Sequence, residues 1–208
     1  QTPAPRDRHA LRAACPSSVL PKAFRAKRTQ LWLSNGYHLV SYPYFDDSHD
    51  DLFINLVLCA PASTQTPAQQ VADLTATLPV LSHLSACAID WHKTPLPPAS
   101  QLATWRKYGV VLIGDGAHFM PPHLAQGAGQ TLEDAAMLGR ALTRADDIRQ
   151  AAANWALSRQ RALRPIIEKA EATGQVMRLK GPFATMRNAA IEFGGSRLIE
   201  KWLRQVWQ

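Results

Sequence analysis

The stretch GDGAHFMPPHLAQGAGQTLEDA, residues 114–135, decides the fold of this chain of 208 residues. The apolar run VVLI at 110–113 precedes it and predicts a short strand buried at the centre of a sheet. A helix is predicted from about residue 129 to residue 143, with Glu133 and Asp134 in its first turn, where the helix dipole favours negative charge. The apolar face of this helix is predicted to consist of Leu132, Ala135, Ala136, Leu138, Gly139 and Leu142. A strand, a glycine-rich loop and a helix in this order predict a site for an anion or a cofactor, because glycines let the backbone approach a ligand and the first helical N–H groups are free.

Asp115 follows the predicted strand directly, where a carboxylate can accept hydrogen bonds from the hydroxyl groups of a polyol or a ribose. On spacing alone, a cap on the adjoining turn explains this residue equally well. The G-x-G steps at 114–116 and 127–129 do not continue into the dinucleotide fingerprint G-x-G-x-x-G, because Phe119 and Leu132 occupy the third positions. No GKS or GKT string occurs, which excludes the phosphate-binding loop of nucleoside triphosphatases.

The order G-D-G-A-H, then proline, then A-Q-G-A and finally E-D-A across residues 114–135 resembles the second FAD-binding motif of flavin-dependent aromatic monooxygenases. This is the family of para-hydroxybenzoate hydroxylase and salicylate hydroxylase. Gly116 stands where alanine is common in the family, and Ala125 stands where glycine is common. Both residues are small, but alanine cannot take every backbone conformation that glycine takes. The strings HLVSYP at 38–43 and INLV at 54–57 are similar to the substrate-domain sheet of the family.

The resemblance implies an α/β protein, of α+β type in this chain. Its parts would be an antiparallel substrate-domain sheet, the last strand and helices of an FAD-binding Rossmann-like domain, and a helical C-terminus. We therefore expect three segments: a substrate-domain part at 1–98, the FAD-binding strand, loop and helix at 99–147, and the C-terminal helices at 148–208. The proline-rich connector at 95–98 marks the first boundary.

The family's site residues carry over position by position. The resemblance implies that Asp115, next to Gly114, binds a hydroxyl group of the ribityl or ribose chain of FAD. The backbone at the start of the helix is implied to face N1 and the C2 carbonyl of the isoalloxazine ring, where N–H groups stabilise the negative charge of reduced flavin. It comprises Gln126, Gly127, Ala128 and Gly129. Pro122 is implied to lie near the ring edge in a pocket that excludes water. Tyr42 is a candidate for the substrate pocket, although packing is the favoured explanation for it.

The implied activity is hydroxylation of an aromatic or similar cyclic small molecule, with FAD as cofactor, NADH or NADPH as co-substrate, and O2. The family's N-terminal G-x-G-x-x-G unit and its middle D-G motif do not occur, and Gln1 is not an initiator methionine. The chain therefore resembles the C-terminal half of such an enzyme. We expect it to need the absent N-terminal half to bind FAD tightly and to be inactive alone. The alternatives are another flavin oxidoreductase of the same fold, an inactive truncated remnant, or a basic interaction module.

The N-terminal part of the chain predicts a small sheet. Residues 1–30 contain four prolines, which predict an irregular lead-in with one short helix. Three antiparallel strands are expected between residues 31 and 60, with Asn35 and Gly36 forming a type I′ turn between the first two.

Further elements are expected towards the C-terminus. An amphipathic helix through Val71, Leu74 and Leu78 comes first, then a second helix at about 80–84 and a strand within CAIDWHKTPLPP. The remainder from residue 148 onwards reads as helical, with interruptions at the Gly-Pro pair 181–182 and the Gly-Gly pair 194–195.

Several polar residues invite a functional role that the sequence does not support. His118 and His123 lie in the motif loop, and a structural role is favoured for both, so no catalytic residue is identified. The histidines show no metal-ligand spacing, and no metal site is predicted. Arg159, Arg161 and Arg164 form a basic stretch of helix, for which a solvated face is favoured over a phosphate site.

Composition sets the remaining bounds. A hydrophobic fraction of 46% excludes a disordered chain. The net charge of +7 is uneven: residues 1–30 and 151–208 are basic, and the middle of the chain is acidic. Such asymmetry is compatible with nucleic acid or anionic lipid, but no DNA- or RNA-binding motif occurs, so no nucleic-acid partner is predicted. No apolar run approaches the roughly 18 residues needed to span a membrane. Three cysteines without Cys-x-x-Cys spacing suit a reducing compartment, and we expect a cytoplasmic protein.

Overall fold

The computed structural model describes residues 7–45, 52–76, 82–87 and 89–204. The chain divides into two compact units: unit 1 comprises Gln1–Pro97 with Met177–Phe193, and unit 2 comprises Pro98–Val176 with Gly194–Gln208. Unit 1 is built on one antiparallel sheet, whereas long helices dominate unit 2. The expected class, a mixed fold with an antiparallel sheet and a helical C-terminal part, is confirmed.

Five strands form the sheet of unit 1 in the order β2-β3-β4-β1-β5, each antiparallel to its neighbours. They are β1 (Arg8–Pro16), β2 (Gln30–Leu33), β3 (His38–Phe45), β4 (Leu52–Pro61) and β5 (His92–Pro95). Strands β2, β3 and β4 are the predicted three-stranded meander, and β5 is the strand predicted within CAIDWHKTPLPP. Both predictions are confirmed.

The turn between β2 and β3 has the predicted position but a different geometry. Gly36 takes a positive φ of 89°, whereas Asn35 does not, so the predicted type I′ turn is wrong. The side chain of Asn35 instead accepts a hydrogen bond from the N–H of Gly181 at 2.8 Å. A Cβ atom on Gly36 would lie 2.6 Å from Cε of Lys180, which would have to move aside, so the main reason for glycine at this position is its positive φ.

Strand β1 corrects the expectation of an irregular lead-in. It pairs with β4 along its whole length and with β5 on its other edge, which makes it an interior strand of the sheet. Pro16 ends the strand, and the next proline follows only at Pro21, so the prolines flank the strand and do not interrupt it. Its buried residues are Arg8, Ala10, Leu11, Ala13 and Cys15, of which three are small and one is charged, and this composition weakened the strand signal in the sequence.

The main core of unit 1 lies between the sheet and helix α1 (Pro67–Thr75). Thr66 starts the helix with a capping box, in which its side chain accepts from the Gln69 N–H and the Gln69 side chain accepts from the Thr66 N–H. Val71 and Leu74 pack into the core as predicted. Residues 77–81, which include Leu78 and the start of the second predicted helix, lie outside the described residues.

Unit 2 begins with two short antiparallel pairs. They are β6 (Ser100–Gln101) with β9 (His118–Phe119), and β7 (Arg106–Lys107) with β8 (Val110–Val111). The central buried strand predicted at 110–113 is wrong for this chain, because only Val110–Val111 is paired and Val110 is 60% exposed. Leu112 and Ile113 are exposed as well. Within the described residues β8 has only β7 as a partner, so its other edge is open.

Helix α2 (Gly127–Thr143) begins two residues earlier than predicted, and its buried face matches the prediction only in part: Leu138 packs in the core of unit 2 as expected. Leu132, expected inside, is 73% exposed, whereas Asp134 is fully buried. Asp134 lies about two turns into the helix, so the first-turn position predicted for it and for Glu133 is wrong. Met137 packs in the core on the same side as Asp134. The apolar pattern misplaced the face because a buried carboxylate with partners of opposite charge takes the central position.

Helices α3 (Ile148–Met177) and α4 (Pro182–Arg204) confirm the helical reading from residue 148 onwards over the described residues. The core of unit 2 combines Trp105 and Met120 with a row of residues from α3. This row consists of Trp155, Ala156, Leu163 and Ile167. The predicted interruptions are confirmed, since α3 ends before Gly181 and α4 breaks at Gly195, where φ is 54° and ψ is −151°.

Candidate cofactor site

The loop between β8 and α2 carries the predicted ligand-binding residues and contains two 3₁₀ helices, Gly114–Gly116 and Pro122–Leu124. Gly114 has a φ of 57°, in the left-handed region that favours glycine. A Cβ atom there would lie 2.6 Å from Oγ1 of Thr131, whose hydroxyl is held by the Gly127 carbonyl at 2.9 Å. Both the conformation and the close packing on α2 therefore require glycine at this position.

Asp115 lies exposed in the first of these 3₁₀ helices and close to the start of α2. Its Oδ1 is 3.9 Å from the point that a Cβ atom on Gly127 would occupy, so the structure brings this carboxylate and the helix N-terminus together. A Cβ atom built on Gly116 or Gly129 meets no atom within 4 Å. A ligand can therefore reach the backbone at both glycines.

The N-terminus of α2 offers free hydrogen-bond donors. Its N-cap residue is Gln126, whose side chain makes no capping hydrogen bond. The N–H groups of Gly127, Ala128 and Gly129 belong to the first turn, where helix geometry leaves them without an acceptor in the helix itself. Together with the helix dipole, these donors favour a negatively charged or electron-rich group at this end.

The side chain of Gln126 adds a buried donor beside this helix end. The residue is 5% exposed, and its Oε1 accepts a hydrogen bond from Nε2 of Gln130 at 3.2 Å. Its own Nε2 is buried and has no hydrogen-bond partner among the described residues. A buried donor without a partner costs roughly 1–3 kcal/mol. Binding of a molecule with an acceptor atom at this position would remove that cost.

Ala125 precedes Gln126 and adopts a left-handed conformation, with φ 53° and ψ 30°. This is one of the two positions at which the sequence departs from the family pattern, and the usual family residue there is glycine. The departure therefore places a residue with a Cβ atom in a conformation that glycine takes without strain.

A buried cluster lies next to the loop and was not predicted as a unit. We call it the Asp134 cluster; it consists of Gly114, His118, Asp134 and Arg159. Oδ2 of Asp134 accepts a hydrogen bond from the Gly114 N–H at 3.0 Å and lies 2.6 Å from Nε2 of His118. Oδ1 of Asp134 accepts from Nε of Arg159 at 2.7 Å. The cluster thus joins the loop, helix α2 and helix α3 through one carboxylate.

Electrostatics keep this carboxylate ionised. Burial alone would raise the pKa of Asp134, but hydrogen bonds from His118, the Gly114 N–H and Arg159 outweigh burial and hold its pKa below the ordinary value. Arg159 is 3% exposed and also donates to Oε1 of Gln130 at 2.9 Å. The remaining hydrogen-bonding capacity of this buried ion pair is thus used. Removal of one partner would leave an uncompensated charge in the interior and strongly destabilise the folded protein.

The two histidines of the motif loop, His118 and His123, both pack against neighbouring elements of unit 2. His118 belongs to the Asp134 cluster and packs on the ring of Trp105, with ring centroids 5.2 Å apart. His123 lies against helix α3, so that a Cβ atom on Gly174 would come within 2.4 Å of its ring. Both positions are compatible with the structural role predicted for these histidines.

The solvated face predicted for the basic stretch of α3 is wrong for Arg159, which is buried in the Asp134 cluster. Arg161 and Arg164 are exposed, and Arg164 forms an ion pair with Glu168 one helical turn further on. The helical spacing could have separated Arg159 from the other two, since it falls on the same face as the core residues Trp155 and Leu163.

The two candidates for the substrate pocket lie in different elements. Tyr42 is half-buried in β3, and its hydroxyl accepts a hydrogen bond from Nδ2 of Asn55, its neighbour on β4. Tyr42 also packs against a small apolar cluster around Val57, which agrees with a packing role. Pro122 is exposed at the start of the second 3₁₀ helix of the loop.

A glycine-rich loop that presents a carboxylate beside an open helix N-terminus has the chemical groups that a flavin or nucleotide cofactor would need. The chain belongs to the FAD binding domain family, whose model matches residues 38–172, more than half of the chain. The resemblance to flavin-dependent aromatic monooxygenases is thereby confirmed.

Known proteins show the same relationship. The chain is 27% identical to 3-hydroxybenzoate 6-hydroxylase 1 of Aquipseudomonas alcaligenes over 186 residues, which cover 85% of this chain and 46% of that protein. It is 38% identical to 2-heptyl-3-hydroxy-4(1H)-quinolone synthase of Mycobacteroides abscessus over 81 residues, 39% of this chain and 20% of that protein. An HpxO variant of Klebsiella pneumoniae, solved with FAD, superposes with a TM-score of 0.79 at 16% identity, over 97% of this chain and 54% of that chain. This last likeness shows the shared fold.

The chain spans about half the length of 3-hydroxybenzoate 6-hydroxylase 1 and of HpxO, and a smaller share of the quinolone synthase. Across the described residues, the helices are too short or too polar to cross a lipid bilayer.

Proposed function

We propose that this chain forms the part of an FAD-dependent monooxygenase that binds the flavin end of the cofactor. The observation that carries the proposal is the placement of Asp115 beside the open N-terminus of α2, within the segment that matches the FAD binding domain family. The exposed carboxylate, the free N–H groups of the first turn and the buried Nε2 of Gln126 are chemically suited to a hydroxylated chain attached to an electron-rich ring.

Each residue of the site has a distinct task in this proposal. Asp115 accepts a hydrogen bond from a hydroxyl group of the ribityl or ribose chain, and Gly114 provides the turn that presents it. The N–H groups of residues 127–129 and the amide of Gln126 stabilise negative charge on the pyrimidine side of the isoalloxazine ring. Bound FAD would supply the redox chemistry, with NADH or NADPH as the reductant and O2 as the source of the oxygen atom added to the substrate, the second oxygen atom leaving as water.

The proposed substrate is a small aromatic or similar cyclic molecule. Relatives named for 3-hydroxybenzoate, 3-amino-4-hydroxybenzoate and kynurenine support this class. Pro122 in the loop and Tyr42 on the sheet remain our candidates for substrate contacts. In this scheme residues 1–98 are the substrate-domain part, 99–147 the FAD-binding part, and 148–208 the C-terminal helices.

We further propose that the chain works together with an N-terminal half that holds the ADP end of FAD. The open edge of β8 supports this proposal, because Val110, Leu112 and Ile113 are exposed although their sequence suits a strand in the interior of a sheet. The coverage of about half of the relatives agrees with it. Tight flavin binding and activity are then properties of the two halves together, and the proposed location is the cytoplasm.

The second candidate is another flavin oxidoreductase of the same fold, for which the same cofactor site would serve. Product analysis separates the two, because only a monooxygenase incorporates labelled oxygen from O2 into its product. An inactive remnant, or a basic module without a cofactor, predicts no saturable FAD binding by the natural polypeptide.

The test of the proposed site is FAD titration of the natural polypeptide in which this chain occurs, followed by flavin fluorescence. Asp115→Ala is expected to weaken FAD binding about 10- to 100-fold, since a hydrogen bond to a charged group contributes about 1.5–3 kcal/mol. Asp146→Ala removes an exposed carboxylate at the other end of α2 and is the matched control, expected to bind like the wild type. Equal affinity of Asp115→Ala and the wild type would remove Asp115 from the site.

A further inference from the structure

One hydrogen bond of the Asp134 cluster connects it to the proposed cofactor site. Oδ2 of Asp134 accepts the N–H of Gly114, and Gly114 is the first residue of the turn that carries Asp115. Backbone N–H groups in loops are usually satisfied by nearby backbone or water. Here the acceptor for the Gly114 N–H is instead the fully buried side chain of Asp134 on the neighbouring helix α2. The position of the turn is therefore coupled to the position of this carboxylate.

The remaining contacts of Asp134 restrict how it can move. His118 on β9 lies with its Nε2 2.6 Å from the same oxygen. Arg159 on α3 donates from Nε to the other oxygen at 2.7 Å. Arg159 is itself fixed by Gln130 at 2.9 Å and by Glu133 at 3.2 Å. A carboxylate that is fixed from three separate elements presents Oδ2 in one direction, and side chains locked in this way position a site more accurately than side chains on a free loop.

The other side of the turn is fixed by packing. The left-handed Gly114 leaves no space for a Cβ atom against Thr131, and Thr131 is bonded to the carbonyl of Gly127. The turn is therefore held between the helix N-terminus on one side and the Asp134 carboxylate on the other. Asp115, in the middle of this turn, lies exposed where a ligand can reach it.

We infer that Asp134 is a positioning residue for the cofactor site: by binding the Gly114 N–H, it holds the turn so that Asp115 and the N-terminus of α2 act on the same ligand. Asp134 is buried and acts only through Gly114. His118 and Arg159 support it by fixing its orientation. This inference rests on the proposed function and adds to it a residue outside the ligand-contacting set.

The test combines a local and a functional measurement on the natural polypeptide. In Asp134→Ala, the amide protons of Gly114 and Asp115 are expected to exchange with solvent at least tenfold faster in the ligand-free protein, measured by NMR or mass spectrometry. FAD affinity, measured by flavin fluorescence, is expected to fall at least tenfold. Asp134→Asn is the second variant, and it keeps the volume of the side chain. It cannot accept hydrogen bonds on both sides as the carboxylate does, so it should show the same two effects.

Two control variants separate positioning from general stability. Leu163→Ala removes a fully buried leucine from the core of unit 2 and should lower the melting temperature without changing exchange at Gly114 or FAD affinity beyond twofold. Glu168→Gln removes the exposed ion-pair partner of Arg164 on α3 but leaves every contact of the Asp134 cluster in place, and should bind FAD like the wild type.

The outcomes are distinct. FAD binding by the wild type with unchanged affinity in both Asp134 variants would overturn the inference while leaving the proposed function intact. Equal losses in Leu163→Ala and the Asp134 variants would also overturn it, because the effect would then be one of stability. No FAD binding by the wild type in the presence of the N-terminal half would contradict the proposed function, and this inference with it.

Discussion

At the scale of single residues, two positions of the loop adopt left-handed backbone conformations, one at a glycine and one at an alanine. Gly114 takes its left-handed conformation without strain, whereas Ala125 takes a similar one with a Cβ atom. A left-handed conformation costs an ordinary residue roughly 1–2 kcal/mol. Such strain persists where the surroundings determine the backbone, and Ala125 directly precedes Gln126 at the start of α2.

Replacement of this alanine tests the strain. Ala125→Gly is expected to stabilise the folded chain by up to about 1 kcal/mol, because relief of the left-handed strain exceeds the roughly 0.5–1 kcal/mol that glycine loses through the freedom of the unfolded chain. Urea unfolding followed by circular dichroism measures the change. The matched control is Ala128→Gly in the first turn of α2, which should be destabilising. Destabilisation of similar size in both variants would show that Ala125 carries no strain.

At the scale of elements, helix α2 shows what a local pattern can and cannot predict. The helix and its glycine-rich start follow from residues close together in the sequence, and so do the β2–β3–β4 meander and the position, although not the type, of its turn at Asn35 and Gly36. The buried face of α2 does not, since Asp134 faces inwards only because Arg159 and His118 reach it from other elements. The candidate site was therefore predictable where it lies in the motif, and its supporting residues were not.

Strand β1 illustrates the same limit in the other unit. Its small buried residues and flanking prolines resemble a loop when taken alone, and only pairing with β4 and β5 makes the segment an interior strand. The run at 110–113 shows the reverse case, because its composition indicates a buried strand and the described chain leaves it exposed. The amino-acid composition of a segment indicates the environment that suits it, but whether the segment is buried depends on the elements that pair with it or pack against it.

The links between α2, α3 and the loop predict a pH dependence of stability. The pKa of Asp134 is lower in the folded state than the ordinary value of about 3.9 expected in the unfolded chain. Its stabilising contribution is therefore complete above about pH 5 and is lost as the pH falls through the folded-state pKa. The free energy of unfolding should fall less steeply between pH 5 and pH 2 in Asp134→Asn than in the wild type.

Urea unfolding at a series of pH values measures this slope. Asp146→Asn, which changes an exposed carboxylate, should keep the slope of the wild type. Parallel curves for Asp134→Asn and the wild type would mean that Asp134 is not held ionised by its partners.

At the scale of the whole molecule, the cysteines report the integrity of the sheet in unit 1. Cys15 and Cys59 lie buried on β1 and β4, and burial is the main cause that raises the pKa of each thiol to about 11. The thiolate is the reactive form, so both thiols should react slowly with a disulfide reagent at pH 8. Cys87 is partly exposed and should react first.

Mass spectrometry after timed labelling identifies which thiols have reacted. Cys15 and Cys59 are expected to become labelled only as the sheet unfolds in urea, so their labelling should follow the unfolding transition seen by circular dichroism. Rapid labelling of either cysteine under native conditions would contradict its placement inside the sheet.

The open edge of β8 also has a consequence for the isolated chain. Among the described residues only β7 pairs with β8, so its other edge, beside exposed Val110, Leu112 and Ile113, is a template on which another extended segment can add. Proteins usually protect such an edge with a charged residue, a proline or a covering element. The run VVLI contains neither a charged residue nor a proline. If no other segment covers this edge, we expect the isolated chain to associate through intermolecular β-pairing at high concentration.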